Sequence, residues 1–215
     1  MKLDKRSLLL YAVTDRTWLG GRTLADAVHD ALEGGATFLQ LREKNLDDDS
    51  FLQLALEIKE IAAKYKVPFV INDNINVALA CGADGVHVGQ KDMAAKDVRK
   101  IIGSDKILGV SAQTVEQAVA AEENGADYLG VGSVFSTSTK LDADAVSFET
   151  LKEICQAVSI PVVAIGGINK DNARKLKGSG IDGIAVVSAI FAQENIREAA
   201  AELRQIAREV VGNED

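Results

Sequence analysis

Proline and cysteine are almost missing from this 215-residue chain, with two of each. Two cysteines, Cys81 and Cys155, cannot build a disulfide scaffold; each sits in an apolar, helix-like context and reads as a small buried thiol. Two prolines beside 18 glycines rule out a collagen repeat or a Pro-rich linker. Histidine is equally scarce, with two, and no Cys/His cluster offers a structural zinc site. Excess positive charge is missing as well: 24 Lys and Arg face 32 Asp and Glu, a formal charge of -8. No basic stripe offsets it, which argues against nucleic acid or an anionic membrane as partner. The charged start, Met1 to Arg6, is followed by an apolar stretch too short for a signal peptide or a membrane span. The expectation is a soluble cytoplasmic protein acting on small molecules; a homo-oligomer stays open.

What is present is periodic. The chain is 47% hydrophobic and 26% charged, an ordinary globular composition. Short, near-continuous apolar runs alternate with longer amphipathic ones. The strand-like runs are 8–13, 37–41, 68–71, 85–88, 106–110, 128–131, 161–165 and 183–187. The helix-like runs are 23–33, 48–66, 74–80, 94–102, 115–124, 148–158, 171–177 and 194–211. Apolar runs of this kind are expected of parallel strands covered on both faces. A short signal recurs before strands: Gly35-Ala36-Thr37, Gly82-Ala83-Asp84, Gly125-Ala126-Asp127 and Gly180-Ile181-Asp182. A glycine leaving a helix and a polar residue entering a strand suit a tight turn. Eight βα units without a linker predict one (β/α)8 TIM barrel over residues 1–215. An open doubly wound sheet is the alternative, but no Gly-x-Gly-x-x-Gly follows the first strand.

Active sites of such barrels lie at the C-terminal strand ends, and polar residues gather there. Gln40, Arg42 and Lys44 alternate with Leu41 and Glu43, which puts the first three on one side of a strand. Two cations facing inward in an acidic chain call for an anion, such as phosphate; a solvated end with a Glu43–Lys44 pair is the bland alternative. Asn72-Asp73-Asn74 and Gly89-Gln90-Lys91-Asp92 end neighbouring strands. Asp73 and Asp92 beside those cations suit Mg²⁺ with a phosphate group, or else serve as helix caps. Ser111 ends the fifth strand. Gly166-Gly167 and Val187-Ser188 end the seventh and eighth, where barrels commonly hold phosphate through backbone N–H groups; a tight turn alone would also use the glycines. Residues 132–145, rich in Ser and Thr with Lys140, read as a functional loop that can take a second anion through Thr137, Thr139 and Lys140. His87 reads either as a satisfied core histidine or as a catalytic one.

Several of these stretches, in this order, resemble the thiamine-phosphate synthases (thiamine-phosphate pyrophosphorylases). They are YAVTD from Tyr11, QLREK from Gln40, INDN from Ile71, GVHVGQKD from Gly85, Gly109-Val110-Ser111, Thr-Ser-Thr-Lys from Thr137, AIGGI from Ala164, and Val186-Val187-Ser188. The resemblance covers nearly the whole chain. It implies a transferase that joins a hydroxymethylpyrimidine diphosphate to a thiazole phosphate, releasing diphosphate. It further implies that Gln40, Leu41, Arg42, Glu43, Lys44 and Asn72 hold the pyrimidine diphosphate and that Asp73 and Asp92 bind Mg²⁺. Ser111 and Lys140 would contact the pyrimidine or its diphosphate, and Arg42, Lys44, Lys140 and Ser111 form the catalytic set. Thr137, Ser138 and Thr139, with Gly167, Val187 and Ser188, would hold the thiazole phosphate. Ser133 and Ser136 stand where family members often carry proline, which implies a freer loop. A related thiazole tautomerase lacks the full diphosphate and Mg²⁺ set, and a regulatory barrel would be expected to lose the carboxylates.

Overall fold

Each short apolar run becomes a buried parallel strand, and the eight strands close on themselves. A computed structural model describes residues 3–136 and 145–212. The strands are β1 (Leu10–Val13), β2 (Phe38–Leu41), β3 (Phe69–Asn72), β4 (Gly85–Val88), β5 (Ile107–Ala112), β6 (Tyr128–Val131), β7 (Val162–Ile165) and β8 (Gly183–Val186). Their order around the barrel is their order in the chain, and β8 returns to β1, with Tyr11 opposite Ala185. The helices are α1 (Leu24–Glu33), α2 (Asp48–Tyr65), α3 (Ile75–Ala80), α4 (Ala95–Ile102), α5 (Val115–Glu123), α6 (Phe148–Ala157), α7 (Ser188–Phe191) and α8 (Ile196–Val211). Several start on side-chain caps that meet otherwise unpaired N–H groups, such as Thr23 on α1, Asn74 on α3 and Thr114 on α5.

Strand alternation divides the core in two. Tyr11, Phe38, Val70, Ile107, Tyr128 and Val163 point into the barrel. Leu10, Leu39, Leu41, Ile71, Leu108 and Ile184 point outward against the helices. The barrel interior is thus packed, not a channel. Tyr11, Phe38 and Tyr128 meet edge-on there, with centroids 4.6–5.9 Å apart.

The recurring turn signal has a physical purpose. Gly35, Gly82, Gly125 and Gly180 all have positive φ, between 66° and 104°, where a side chain would be strained. The polar residue two positions on then ties its strand to the start of an earlier neighbour. Thr37 Oγ1 accepts from the Leu10 N–H, Asp84 Oδ2 from Phe69, Asp127 Oδ2 from Leu108, and Asp182 Oδ2 from Val162, at 2.7–3.1 Å. Four copies of one bond thereby tie the strands in pairs, β1 to β2, β3 to β4, β5 to β6 and β7 to β8, at the N-terminal end of the barrel. Arg99 reinforces one copy, donating to Asp127 at 2.6 Å and to the Gly125 carbonyl.

Three expectations change. Residues 8 and 9 do not belong to the first strand: Lys5–Leu8 is a 3-10 turn capped by Asp4, and buried Leu8 plugs the interior. The helix expected at 171–177 shrinks to a 3-10 turn, Ala173–Leu176. There Asn169 and Asn172 spend their side chains on local backbone: Asn169 accepts from Asp171, while Asn172 accepts from Asn169 and donates to the Gly167 carbonyl. Such bonds compete with the helix ladder. Finally, the short α7, only four residues long, was not expected after β8. Among the described residues, no helix is long and apolar enough to cross a membrane.

Candidate active site

The C-terminal strand ends surround a cavity of about 370 Å³, within the ~300–1,000 Å³ usual for small-molecule sites. On its β2 side, alternation carries Gln40, Arg42 and Lys44 to the wall. Gln40 is buried. The Arg42 backbone is held by buried Thr14, whose Oγ1 accepts the Arg42 N–H at 3.0 Å. Asp15 Oδ2 lies 3.6 Å from Arg42 Nη1 with both side chains mostly covered, which orients the guanidinium. Leu41 and Glu43, expected at the same site, do not line this cavity. Leu41 is fully buried against the helices. Glu43 instead pairs with Arg16 Nε at 2.9 Å, not with Lys44, beside a smaller hollow that Asp15, Arg42 and Lys44 also line. Burial raises its carboxyl pKa, and Arg16 partly offsets the shift.

The carboxylates come from β3 and β4. Asp73 and Asp92 both line the cavity with Asn72 and Gln90, and neither caps a helix. Asn74 caps α3, and α4 starts on Ala94 with no side-chain cap. Asp73 adopts φ +60°, a conformation uncommon outside glycine and frequent at functional sites. Its Oδ2 accepts from Asn72 Nδ2 at 2.6 Å. Asp92 Oδ2 accepts the Gly89 N–H at 2.7 Å. A Cβ on residue 89 would sit 2.9 Å from that oxygen, so glycine makes the close approach possible. Two carboxylates flanked by amide oxygens form a hard, all-oxygen donor set, which fits Mg²⁺ and not a soft metal. Among the described residues, a trio of closely spaced potential metal ligands, His29, Asp30 and Glu33, lies away from the cavity on α1.

The opposite side of the cavity presents backbone. Gly166 and Gly167 have φ +102° and +65°. A Cβ on Gly167 would lie 2.3 Å from the Ser136 carbonyl oxygen, and one on Gly166 would lie 2.2 Å from Ser133 Oγ. The β7 turn therefore rests directly on the segment after β6, with Val134 and Phe135 donating to the Ile165 and Gly166 carbonyls at 3.0 Å. Val187 and Ser188, at the start of α7, complete the wall. Thr137, Ser138, Thr139 and Lys140 lie outside the described residues.

Beneath these groups, sequence reasoning missed the floor. His87 is both satisfied and exposed to the cavity: Nδ1 meets the Tyr128 hydroxyl at 2.9 Å and Nε2 meets Ser111 Oγ at 3.0 Å. Tyr11 joins Tyr128 and Gln40 there. The missed signal was glycine inside strands, at Gly109 and Gly130, which often marks close approach of another group. Of the two cysteines, Cys81 is buried as expected and Cys155 is only partly so, yet burial still pushes the Cys155 thiol up to about 12, far from a reactive thiolate.

Known proteins resemble this chain in sequence and fold. The family model described as "Thiamine monophosphate synthase" matches residues 10–190. The chain belongs to that family. It is 58% identical to a thiamine-phosphate synthase of Ruminiclostridium cellulolyticum over 203 residues, 94% of this chain and 97% of that protein. It is 55% identical to the Clostridium tetani thiamine-phosphate synthase, covering 90% and 93% of the two chains. Among solved structures, the thiamine phosphate pyrophosphorylase of Pyrococcus furiosus superposes with a TM-score of 0.90 at 43% identity, over 97% of this chain and 99% of that one.

Proposed function

We propose that this cavity makes thiamine phosphate. The substrates are 4-amino-2-methyl-5-(diphosphooxymethyl)pyrimidine and 4-methyl-5-(2-phosphooxyethyl)thiazole, or the carboxylated form of that thiazole, which would also lose CO₂. The bond between the pyrimidine methylene carbon and the diphosphate oxygen breaks, and its electron pair leaves with diphosphate. The thiazole nitrogen lone pair then forms the new carbon–nitrogen bond. The observation that carries this reading is the meeting of Arg42, Lys44, Asn72, Asp73 and Asp92 with the Gly166-Gly167 and Val187-Ser188 backbone around one cavity.

The two walls divide the work. Arg42 binds the diphosphate with a planar fork and Lys44 adds a point charge, both where negative charge builds as the bond breaks. Asn72 donates to the same group. Asp73 and Asp92 would hold Mg²⁺, which when bound neutralises the leaving diphosphate. Gln40 and Ser111 orient the pyrimidine. The turn at Gly167 and the start of α7 bind the thiazole phosphate through backbone N–H groups, so the nitrogen is held in line. Lys140 is assigned to the diphosphate, and Thr137, Ser138 and Thr139 to the thiazole phosphate, on family resemblance. No strong base is needed, since the nucleophile is a neutral nitrogen lone pair.

A diphosphate-release assay tests the proposal. With both substrates and Mg²⁺, diphosphate and thiamine phosphate are expected in equal amounts, and omitting any one component is expected to abolish both. Binding without product would refute the synthase reading and favour a regulatory barrel or a tautomerase.

A further inference from the structure

A row of hydrogen bonds crosses the barrel beneath the cavity. Gln40 Nε2 donates to the Tyr11 hydroxyl at 2.5 Å. The Tyr11 and Tyr128 hydroxyls meet at 2.7 Å. Tyr128 then meets His87 Nδ1 at 2.9 Å, and His87 Nε2 meets Ser111 Oγ at 3.0 Å. The five side chains come from β2, β1, β6, β4 and β5. The strands make room for them: a Cβ on Gly109 would lie 2.2 Å from Tyr128 Cζ and 2.5 Å from His87 Nδ1, and one on Gly130 would lie 3.1 Å from His87 Cε1. Burial holds both phenols well above their ordinary range, so each keeps its proton.

A phenol has one proton to give, so donation must run in one sense along the row. With the Gln40 amide nitrogen giving first, Tyr11 donates to Tyr128 and Tyr128 donates to His87 Nδ1. His87 is then the Nε2–H tautomer and donates to Ser111. Turning one link alone would put two hydrogens, or none, into a single contact, at the cost of a buried bond. The ends of the row are therefore coupled. With the row run in this sense, Gln40 offers its carbonyl oxygen to a ligand as acceptor, and Ser111 offers its hydroxyl as donor.

We propose that Tyr11, Tyr128 and His87 are positioning residues that set these two ends, making the cavity select a pyrimidine with an amino donor and an acceptor ring nitrogen over its oxo counterpart. The proposal rests on the reading that an aminopyrimidine diphosphate occupies this cavity. An oxo ring presents an acceptor in place of the amino donor and carries a proton on a ring nitrogen. It is matched best by the row run in the opposite sense, with Gln40 turned to offer its amide N–H and Ser111 donating to His87.

Tyr128→Phe removes one oxygen and cuts the row. Nitrogen-15 NMR of the full chain should show His87 as a single Nε2–H tautomer in the wild type and a tautomer mixture in the variant. The ratio of kcat/KM for 4-amino over 4-oxo pyrimidine diphosphate should fall at least about tenfold in the variant, a loss of about 1.4 kcal/mol of discrimination, mainly through KM. If Tyr128→Phe does not fold, Tyr11→Phe cuts the row at its other phenol, with the same ratio and tautomer as readouts. An Nδ1–H tautomer in the wild type, or an unchanged ratio in a variant, would overturn the proposal. A wild type inert with both pyrimidines would overturn the functional reading and the selectivity with it, whereas a reactive wild type with an unchanged variant ratio would overturn the selectivity alone.

Discussion

The two ends of the same eight strands are built on different principles. At the N-terminal end one device recurs: a positive-φ glycine, then Thr37, Asp84, Asp127 or Asp182 accepting a backbone N–H from an adjoining strand. At the C-terminal end nothing repeats. β2 contributes cations, β3 and β4 contribute carboxylates, β5 contributes a hydroxyl, and the ends of β7 and β8 contribute backbone. Repetition at one end ties the strands of the barrel in pairs, and variety at the other equips it. Carboxylates occur at both ends, so residue type alone does not reveal the task; the partner does. Asp127 is spent on the Leu108 N–H and Arg99, while Asp92 faces the cavity.

Substitutions at the two ends should therefore fail in different ways. The largest effect is expected from Asp92→Ala, which should lower turnover about a hundredfold or more while leaving the denaturation midpoint near wild type. A wild-type rate at limiting Mg²⁺ would remove the metal assignment. Gly167→Ala should come next. Its backbone is at φ +65° and the new Cβ would meet the Ser136 carbonyl. Steady-state kinetics should show a KM for thiazole phosphate raised about tenfold, and unfolding a cost of about 1–3 kcal/mol.

Asp127→Ala tests the other end. Losing the charged acceptor of Leu108 and Arg99 should cost about 2–3 kcal/mol, read as a melting temperature lower by about 2–4 °C per kcal/mol. Activity per folded molecule should stay at the wild-type level. Glu43→Gln should have the smallest effect. Burial lifts the folded-state carboxyl above its ordinary 4.5, so between that value and the raised one the folded chain binds the proton more than the unfolded chain does. Its contribution to stability therefore falls as pH rises through that window. Denaturation across pH 4–7 should show this downward slope flattened in Glu43→Gln. The partly exposed Arg16 partner keeps the total change under about 1 kcal/mol. A steeper slope would contradict the direction.

The sequence pattern made the alternation of strands and helices legible because buried parallel strands need unbroken apolar runs, and their turns need glycine and a polar partner. It also exposed the charged wall, since Gln40, Arg42 and Lys44 repeat with the strand period. Leu8 was misassigned because an apolar residue plugging a barrel looks the same in sequence as one inside a strand. The segment 171–177 has helical spacing, but Asn169 and Asn172 divert its hydrogen bonds, which periodicity does not register. The floor was hidden because Tyr11, His87 and Tyr128 sit in apolar strands, where aromatic residues read as packing. Their polarity emerges only when β1, β4 and β6 converge.

The most direct test of the charged wall is calorimetric titration of the chain with inorganic diphosphate, with and without Mg²⁺. The expected result is binding that requires Mg²⁺, is lost in Asp92→Ala and is retained in Asp127→Ala. Mg²⁺-independent binding, or equal loss in both variants, would contradict the assignment of the C-terminal strand ends to the diphosphate and of the N-terminal ends to the fold.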